Sequence, residues 1–392
     1  MKKGFLISLF FFLIVGLQAT EGIFPFFFGA RSLSMGAGGV AAVNGINPVF
    51  LNPALIGNFA GSISGYQFQS GYRDRDGFET LLGELLQYEL GNFDALDTGQ
   101  KEDVVGTIRE LTRINTGFFG FSGHFPGAVL GNYGIGGALF TSGVINPVKT
   151  SRFDGPFSGI SQEDIDSLAF EFHGFSFANY CLAYSLDITY DLRIAASFTY
   201  ISGKYARREF TIANGQIFAP GRNRSDYLQE AWSEPEEELR SLNIDVAVNL
   251  SLGKYFRAGV VMRNVNRPQL IDSNEESVLD RVVVVGLAFK PDNSWQISAD
   301  LQVVKGRMFL SDEEVQPLAI GLEKGFFNNM MFVRAGFMTD IDDQYLVGRK
   351  SNMLIGLGGG FHLGNFMVDI AAGIDHKGVL GGLAVSGFAL LR

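Results

Sequence analysis

The chain has 392 residues, a formal net charge of −10 at neutral pH and a single cysteine, Cys181. An acidic chain repels nucleic acid, and one thiol allows neither an intramolecular disulfide framework nor a cysteine-based metal cluster, which leaves Cys181 as a small apolar filler. Hydrophobic residues make up 46% and charged ones 18%, with 50 glycines and 37 phenylalanines; average soluble domains carry about 25% charged residues, so the composition points to strands that face lipid.

Residues 1–19 have the layout of an export signal: Lys2 and Lys3, an apolar run from Phe5 to Leu17, and the small residue Ala19 at the exit. The run is shorter than the roughly 18 residues an anchor helix wants. Residues 20–60 follow as a separate segment, whose core is "GARSLSMGAGGVAAVNGINPVFLNPAL" (29–55). A phosphate loop would use Gly36, Gly38 and Gly39, but neither G-x-G-x-x-G after a strand nor Gly-Lys-Ser/Thr is present. Glycines at these positions permit close backbone packing in a lumen, and Pro53 after Asn52 removes a donor that would need a partner. A plug inside a barrel and an ordinary lead-in strand and turn both fit those residues.

Residues 61–392 read as all-β, an antiparallel transmembrane barrel of about fourteen strands. The strands fall near 61–72, 114–125, 132–143, 170–186, 192–203, 240–252, 255–264, 281–290, 294–304, 316–325, 329–339, 352–362, 365–375 and 381–391. In 240–252, Leu242, Ile244, Val246, Val248, Leu250 and Leu252 alternate with Ser241, Asn243, Asp245, Ala247, Asn249 and Ser251, a period of two that puts one apolar face on a strand. The uncharged stretch 115–148 mimics a pair of membrane helices by hydropathy, but its many glycines, Pro126-Gly127 and Gly131-Asn132 make it a hairpin, with the turn expected around 127–131.

Short joins alternate with long polar ones, the pattern of periplasmic turns and external loops, and an even strand number places both chain ends on the periplasmic side. Only the last hairpin, at His376-Lys377-Gly378, has a short join where a long one is expected. The external loop 73–113 carries two stretches of helical spacing, 78–90 and 103–114, expected as short amphipathic helices over the mouth. The long external loop 204–239 holds the charge run "EPEEELR", read as solvated surface balanced by Arg207, Arg208, Arg222 and Arg224.

Chemistry is sparse. His124, His173, His362 and His376 have no H-E-x-x-H and no carboxylate at ligand spacing, and no G-x-S-x-G stands out, so no metal, cofactor or enzymatic activity is expected. With the apolar faces outward, Arg193, Asp245, Arg257, Arg263, Asp300, Glu323, Arg334 and Asp369 point inward. Unpaired charge away from water is costly, which leaves two readings: mutual pairing that stiffens the wall, or a polar ring that gates a path.

The leading segment closely resembles the N-terminal segment of the FadL-like outer-membrane superfamily, especially its PorV/PorQ-type and TraF-type (conjugal-transfer) branches. The resemblance rests on Ala30, Arg31, Met35, Gly36, Gly39, Val40, Ala41, Asn52, Pro53 and Ala54, with Ala37 and Gly38 exchanged relative to the usual order. "VVMRNVNRP" (260–268) and "FVRAGF" (332–337) extend it more weakly. It implies a fourteen-stranded barrel with residues 20–60 folded inside as a hatch. The motif residues of that hatch are Arg31, Met35, Gly36, Gly38, Gly39, Asn52, Pro53 and Ala54. It also implies an outer-membrane barrel that binds or passes apolar small molecules such as fatty acids; the alternative is a partner of a secretion or conjugation apparatus without transport activity. Outer-membrane lipid and the barrel assembly machinery are the implied partners in either case. The chain ends Phe388-Ala389-Leu390-Leu391-Arg392, without the terminal aromatic residue usual in bacterial barrels.

Overall fold

A computed structural model describes residues 29–36, 39–42, 47–58, 61–74, 81, 84–85, 87–88, 90–113, 117–147, 151–211, 237–271, 277–307, 314–341, 353–375 and 380–390. The export signal, Gly38, Arg222, Arg224, residues 234–236 and the turn at 376–378 lie outside the described residues. Fourteen strands form a closed antiparallel barrel: β1 Gly61–Asp74, β2 Gly117–Leu130, β3 Tyr133–Pro147, β4 Ala169–Asp187, β5 Leu192–Thr211, β6 Glu237–Leu252, β7 Phe256–Arg263, β8 Val282–Phe289, β9 Trp295–Gln302, β10 Pro317–Phe326, β11 Met331–Asp340, β12 Met353–Leu363, β13 Phe366–Asp375 and β14 Leu380–Leu390. Each strand pairs with its sequence neighbour, and β14 closes on β1 from Ser62↔Leu390 to Ser70↔Leu383. A two-residue ribbon, Gly306–Arg307 with Glu314–Val315, lies in the β9–β10 connection.

Alternation decides which face is which. On β4, Tyr180, Leu182, Tyr184 and Leu186 are exposed while Asn179, Cys181, Ala183 and Ser185 are buried. On β6, Leu242, Val246 and Val248 are exposed while Asn243, Asp245 and Asn249 are buried. On these strands the wall is apolar outside and polar inside, the inverse of a water-soluble core. An exposed apolar belt of this extent is the surface that hydrocarbon covers in a barrel. No described helix is long and apolar enough to cross a membrane.

Two local features depart from the sequence reading. The turn expected around 127–131 is a two-residue turn at Gly131-Asn132, with Gly131 at φ +57, and β2 continues through Pro126-Gly127. The β2–β3 register slips by one residue there, from Phe125↔Gly137 to Ala128↔Ile135. Proline has no ladder hydrogen to lose, so a bulge accommodates it inside a strand. The second departure concerns the external helices. The helix α3, Thr98–Arg113, begins earlier than its apolar spacing suggests, because Asp97 accepts the Gln100 N–H while its own N–H donates to the Gln100 side chain, a reciprocal cap. Of 78–90, most lies outside the described residues; Leu81, Glu84 and Leu85 are helical.

The apolar stripe Val104, Val105, Ile108 and Leu111 of α3 packs with Phe93, Phe153, Ile165, Leu168 and Phe170. Phe170 shares its face of β4 with the exposed Tyr180 and Leu182, since strand faces alternate with period two. The helical unit thus leans on the outer side of the extended β4 wall instead of roofing the mouth.

Candidate functional site

The residues before β1 pack against the inner wall as a chain of short pieces: α1 Gly29–Ser34, a turn through 39–42, α2 Asn47–Leu51 and a 3-10 turn Pro53–Asn58. α1 stops because Gly36 adopts φ +71, with the Gly36 N–H donating back to Leu33, a conformation glycine reaches without penalty. Pro48 sits in the first turn of α2, where a missing N–H costs nothing. Asn52 then makes two bonds that fix the whole shape. Its Oδ1 accepts the Ala54 N–H at 3.0 Å, and its Nδ2 donates to the Val40 carbonyl, tying the two halves of the segment together.

The seat for the first half is made of glycines. Gly259↔Gly286, Gly321↔Gly336, Gly336↔Gly356 and Gly356↔Gly373 are direct cross-strand neighbours, so β7, β8 and β10–β13 present bare backbone at one level. A Cβ on Gly336 would come within 2.2 Å of the Met35 carbonyl carbon, one on Gly356 within 2.0 Å of the Leu33 oxygen, and one on Gly259 within 2.8 Å of the Val40 oxygen. Gly36 faces the same constraint from the other side, with the Phe337 oxygen 2.3 Å from its would-be Cβ. Backbone rests on backbone along this belt.

Charge holds the segment in register. Arg31 reaches Glu323 bidentately, Nε to Oε2 at 2.8 Å and Nη2 to Oε1 at 2.7 Å. Glu323 and Arg334 are direct cross-strand partners, joined at 2.5 Å, and Arg334 continues to Asp369 at 2.7 Å. To do so it crosses β12, where Gly358 and Gly360 leave the space; a Cβ on Gly360 would collide with Asp369 Oδ1 and the Arg334 guanidinium. Arg334 is 1% exposed and Asp369 1%. Further round the wall, the Asp300 carboxylate accepts the backbone N–H groups of Gly39 and Val40, and Gln296 donates to the Ala42 carbonyl at 3.3 Å.

The second half is held by apolar contact. Val49, Phe50, Leu51, Leu55 and Ile56 pack with Phe140, Phe175, Phe177, Ile201 and Leu239 from the inner faces of β3–β6, and with Leu270, Ile271 and Leu279 from the β7–β8 loop. Arg263 adds one bond, to the Leu51 carbonyl at 3.2 Å. At the long-loop end of this apolar column, His173 Nδ1 lies 2.6 Å from the Tyr205 hydroxyl and its Nε2 lies 3.1 Å from Glu171, which also meets Arg207.

Of the inward charges read from sequence, Glu323, Arg334 and Asp369 join one network with Arg31. Asp300 binds the segment's backbone. Asp245 accepts from Asn243 and from the Asn264 N–H, and Arg193 pairs with Asp187 at 2.5 Å. Arg257 joins none of these bonds. Reasoning from sequence overlooked the glycine belt, because glycines mark a shared level only once register is known. It also overlooked Tyr205 with His173, for which the sequence carries no spacing signal. Among the described residues no group of His, Cys, Asp and Glu could hold a metal ion.

No family model matches the chain, and no curated protein aligns with it significantly. Solved structures do match over nearly the whole length. They include the CymD monoaromatic hydrocarbon channel, with TM-score 0.53 and 11% identity over 97% of this chain and 98% of that one. The toluene transporter TbuX of Ralstonia pickettii gives 0.52 and 13% over 93% and 98%, and the toluene transporter TodX of Pseudomonas putida gives 0.51 and 12% over 96% and 98%. At such identities the likeness is one of fold.

Proposed function

We propose that this is an outer-membrane barrel that binds and passes apolar small molecules, with the segment at residues 29–58 acting as its hatch. The observation that carries the reading is the aromatic-rich apolar column packed against the second half of the segment. Phe140, Phe175, Phe177, Ile201 and Leu239 line the β3–β6 side, joined by Leu270 and Ile271 from the β7–β8 loop, and the column ends on the apolar half of the hatch. The fold shared with monoaromatic hydrocarbon channels and toluene transporters, together with the FadL-like motif in the hatch, makes monoaromatic hydrocarbons the first solutes to try and long-chain fatty acids the second. Arg31, Met35, Gly36, Gly39, Asn52, Pro53 and Ala54 are hatch-seating residues in this reading; Gly38 belongs to the same motif.

The test is uptake. Cells producing the barrel should accumulate labelled toluene faster than cells lacking it, and the purified protein in mild detergent should retain apolar molecules identifiable by mass spectrometry. Equal uptake, with a stoichiometric protein partner recovered instead of a ligand, would overturn the reading in favour of a secretion- or conjugation-associated docking barrel.

A further inference from the structure

A hydrogen-bonding group sits inside the apolar column with nothing to bond. Asn179 alternates on β4 with the exposed Tyr180, so its side chain points into the lumen. Its neighbours there are apolar: Phe177 and Cys181 on either side along the same face, Ala138 directly across on β3 and Ile201 directly across on β5. All four belong to the column. Asn179 is 1% exposed, and its Oδ1 has no hydrogen-bond partner.

The next row toward the short turns runs Cys181, Thr199, Asn243. Cys181 donates to the Val49 carbonyl at 3.6 Å, which places Asn179 at the foot of the column, where the column meets the hatch. Asn243 gives its Nδ2 to Asp245 and keeps a second buried Oδ1 without a partner.

An amide oxygen buried and left unbonded costs stability. Leucine, of nearly the same size, would fill the place without that cost, so packing gives no reason for asparagine. An acceptor set among phenylalanines suits a solute that brings its own donor. A carboxylate brings none, and an ammonium is costly in apolar surroundings. A neutral hydroxyl on an apolar body meets both demands: the body lies against Phe140, Phe175 and Phe177 while the O–H donates to Asn179.

We propose that the column selects hydroxylated apolar solutes, phenols and apolar alcohols, through a hydrogen bond from the solute O–H to Asn179 Oδ1, with Asn243 Oδ1 as a second acceptor one row on. The proposal rests on the reading of the barrel as a passage for apolar molecules and narrows the class of solute.

Uptake of a matched pair, p-cresol and toluene, which differ by one ring hydroxyl, tests it in cells producing the full-length barrel, with cells lacking it as the baseline. The parent should pass p-cresol severalfold faster than toluene. Asn179→Leu should lower p-cresol uptake about tenfold, the scale of a lost hydrogen bond to a buried group, and leave toluene uptake within about twofold. Asn179→Ala removes the amide without adding bulk and should act alike, which separates the lost bond from obstruction. Both variants should keep the heat-modifiable band on denaturing gels, and Asn179→Leu should hold it to a higher temperature than the parent. An unchanged ratio of p-cresol to toluene uptake in both variants, with toluene still passing, would overturn the proposal and leave the passage standing. Failure of both solutes to pass in the parent would overturn the passage itself, and this proposal with it.

Discussion

The two halves of the hatch are held by opposite chemistry. Residues 30–36 and 39–42 lie on bare glycine backbone and are fastened by Arg31–Glu323–Arg334–Asp369 and by Asp300, whereas residues 48–56 rest against aromatic and aliphatic side chains. Directional, charged contacts are satisfied in one register and lost together; apolar contacts are non-directional and can be remade after a shift. The contrast assigns the two halves different duties. Under the proposed function the glycine side is the fixed anchor, and the side facing the apolar column is the part that yields to a ligand of like chemistry.

The largest effect expected follows from filling the belt. In Gly336→Val the new side chain meets Met35 and Gly36 backbone that cannot step aside, so the anchor half should be unseated and the barrel should conduct ions steadily in planar bilayers where the parent does not. A silent Gly336→Val barrel would mean that the belt is not a seat.

Next comes the ionic anchor. Glu323→Gln strands the buried Arg31 guanidinium and leaves Arg334 to Asp369 alone, and breaking a buried pair from one side costs about 3–5 kcal/mol, to be read as a lower temperature for loss of the folded, heat-modifiable band on denaturing gels. Leu55→Ala, on the apolar half, should cost about 2–5 kcal/mol, the range for leucine truncated in a packed core, and should alter solute selectivity more than resting conductance. If the two substitutions give the same phenotype, the division of labour fails.

The smallest effect is a control outside both halves. In the external unit, the Ser161 N–H and hydroxyl donate to the Asp164 carboxylate, and those bonds hold its pKa below the ordinary carboxylate value. Its contribution is therefore present above that value and is lost as the pH falls toward the folded-state pKa. Acidification should loosen the short helix Gln162–Asp166, seen as faster amide exchange there, with no change in exchange at 30–36. Ser161→Ala should remove most of that pH response.

Much of the wall was legible in the sequence because lipid on one side and polar groups on the other impose strict alternation, as in 240–252. Strand ends were less so: β5 runs to Thr211 and β2 continues through Pro126-Gly127, since a bulge lets a turn-forming pair sit inside a ladder. The reciprocal cap of Asp97 and Gln100 was readable and overlooked. The anchor was only half readable. Arg31 belongs to a recognisable motif, but its partner lies 292 residues away, and nothing short of strand register brings Glu323, Arg334, Gly360 and Asp369 to one place.

The most direct test of the seated hatch is the reactivity of Ser34→Cys toward a membrane-impermeant thiol reagent in outer-membrane vesicles. Ser34 is 0% exposed and lies against Gly358, and the native thiol, Cys181, is itself buried. The account predicts negligible labelling of the folded protein, rapid labelling after boiling, and restored labelling of folded Ser34→Cys/Gly336→Val. Labelling of folded Ser34→Cys as fast as that of a cysteine on an external loop would contradict it.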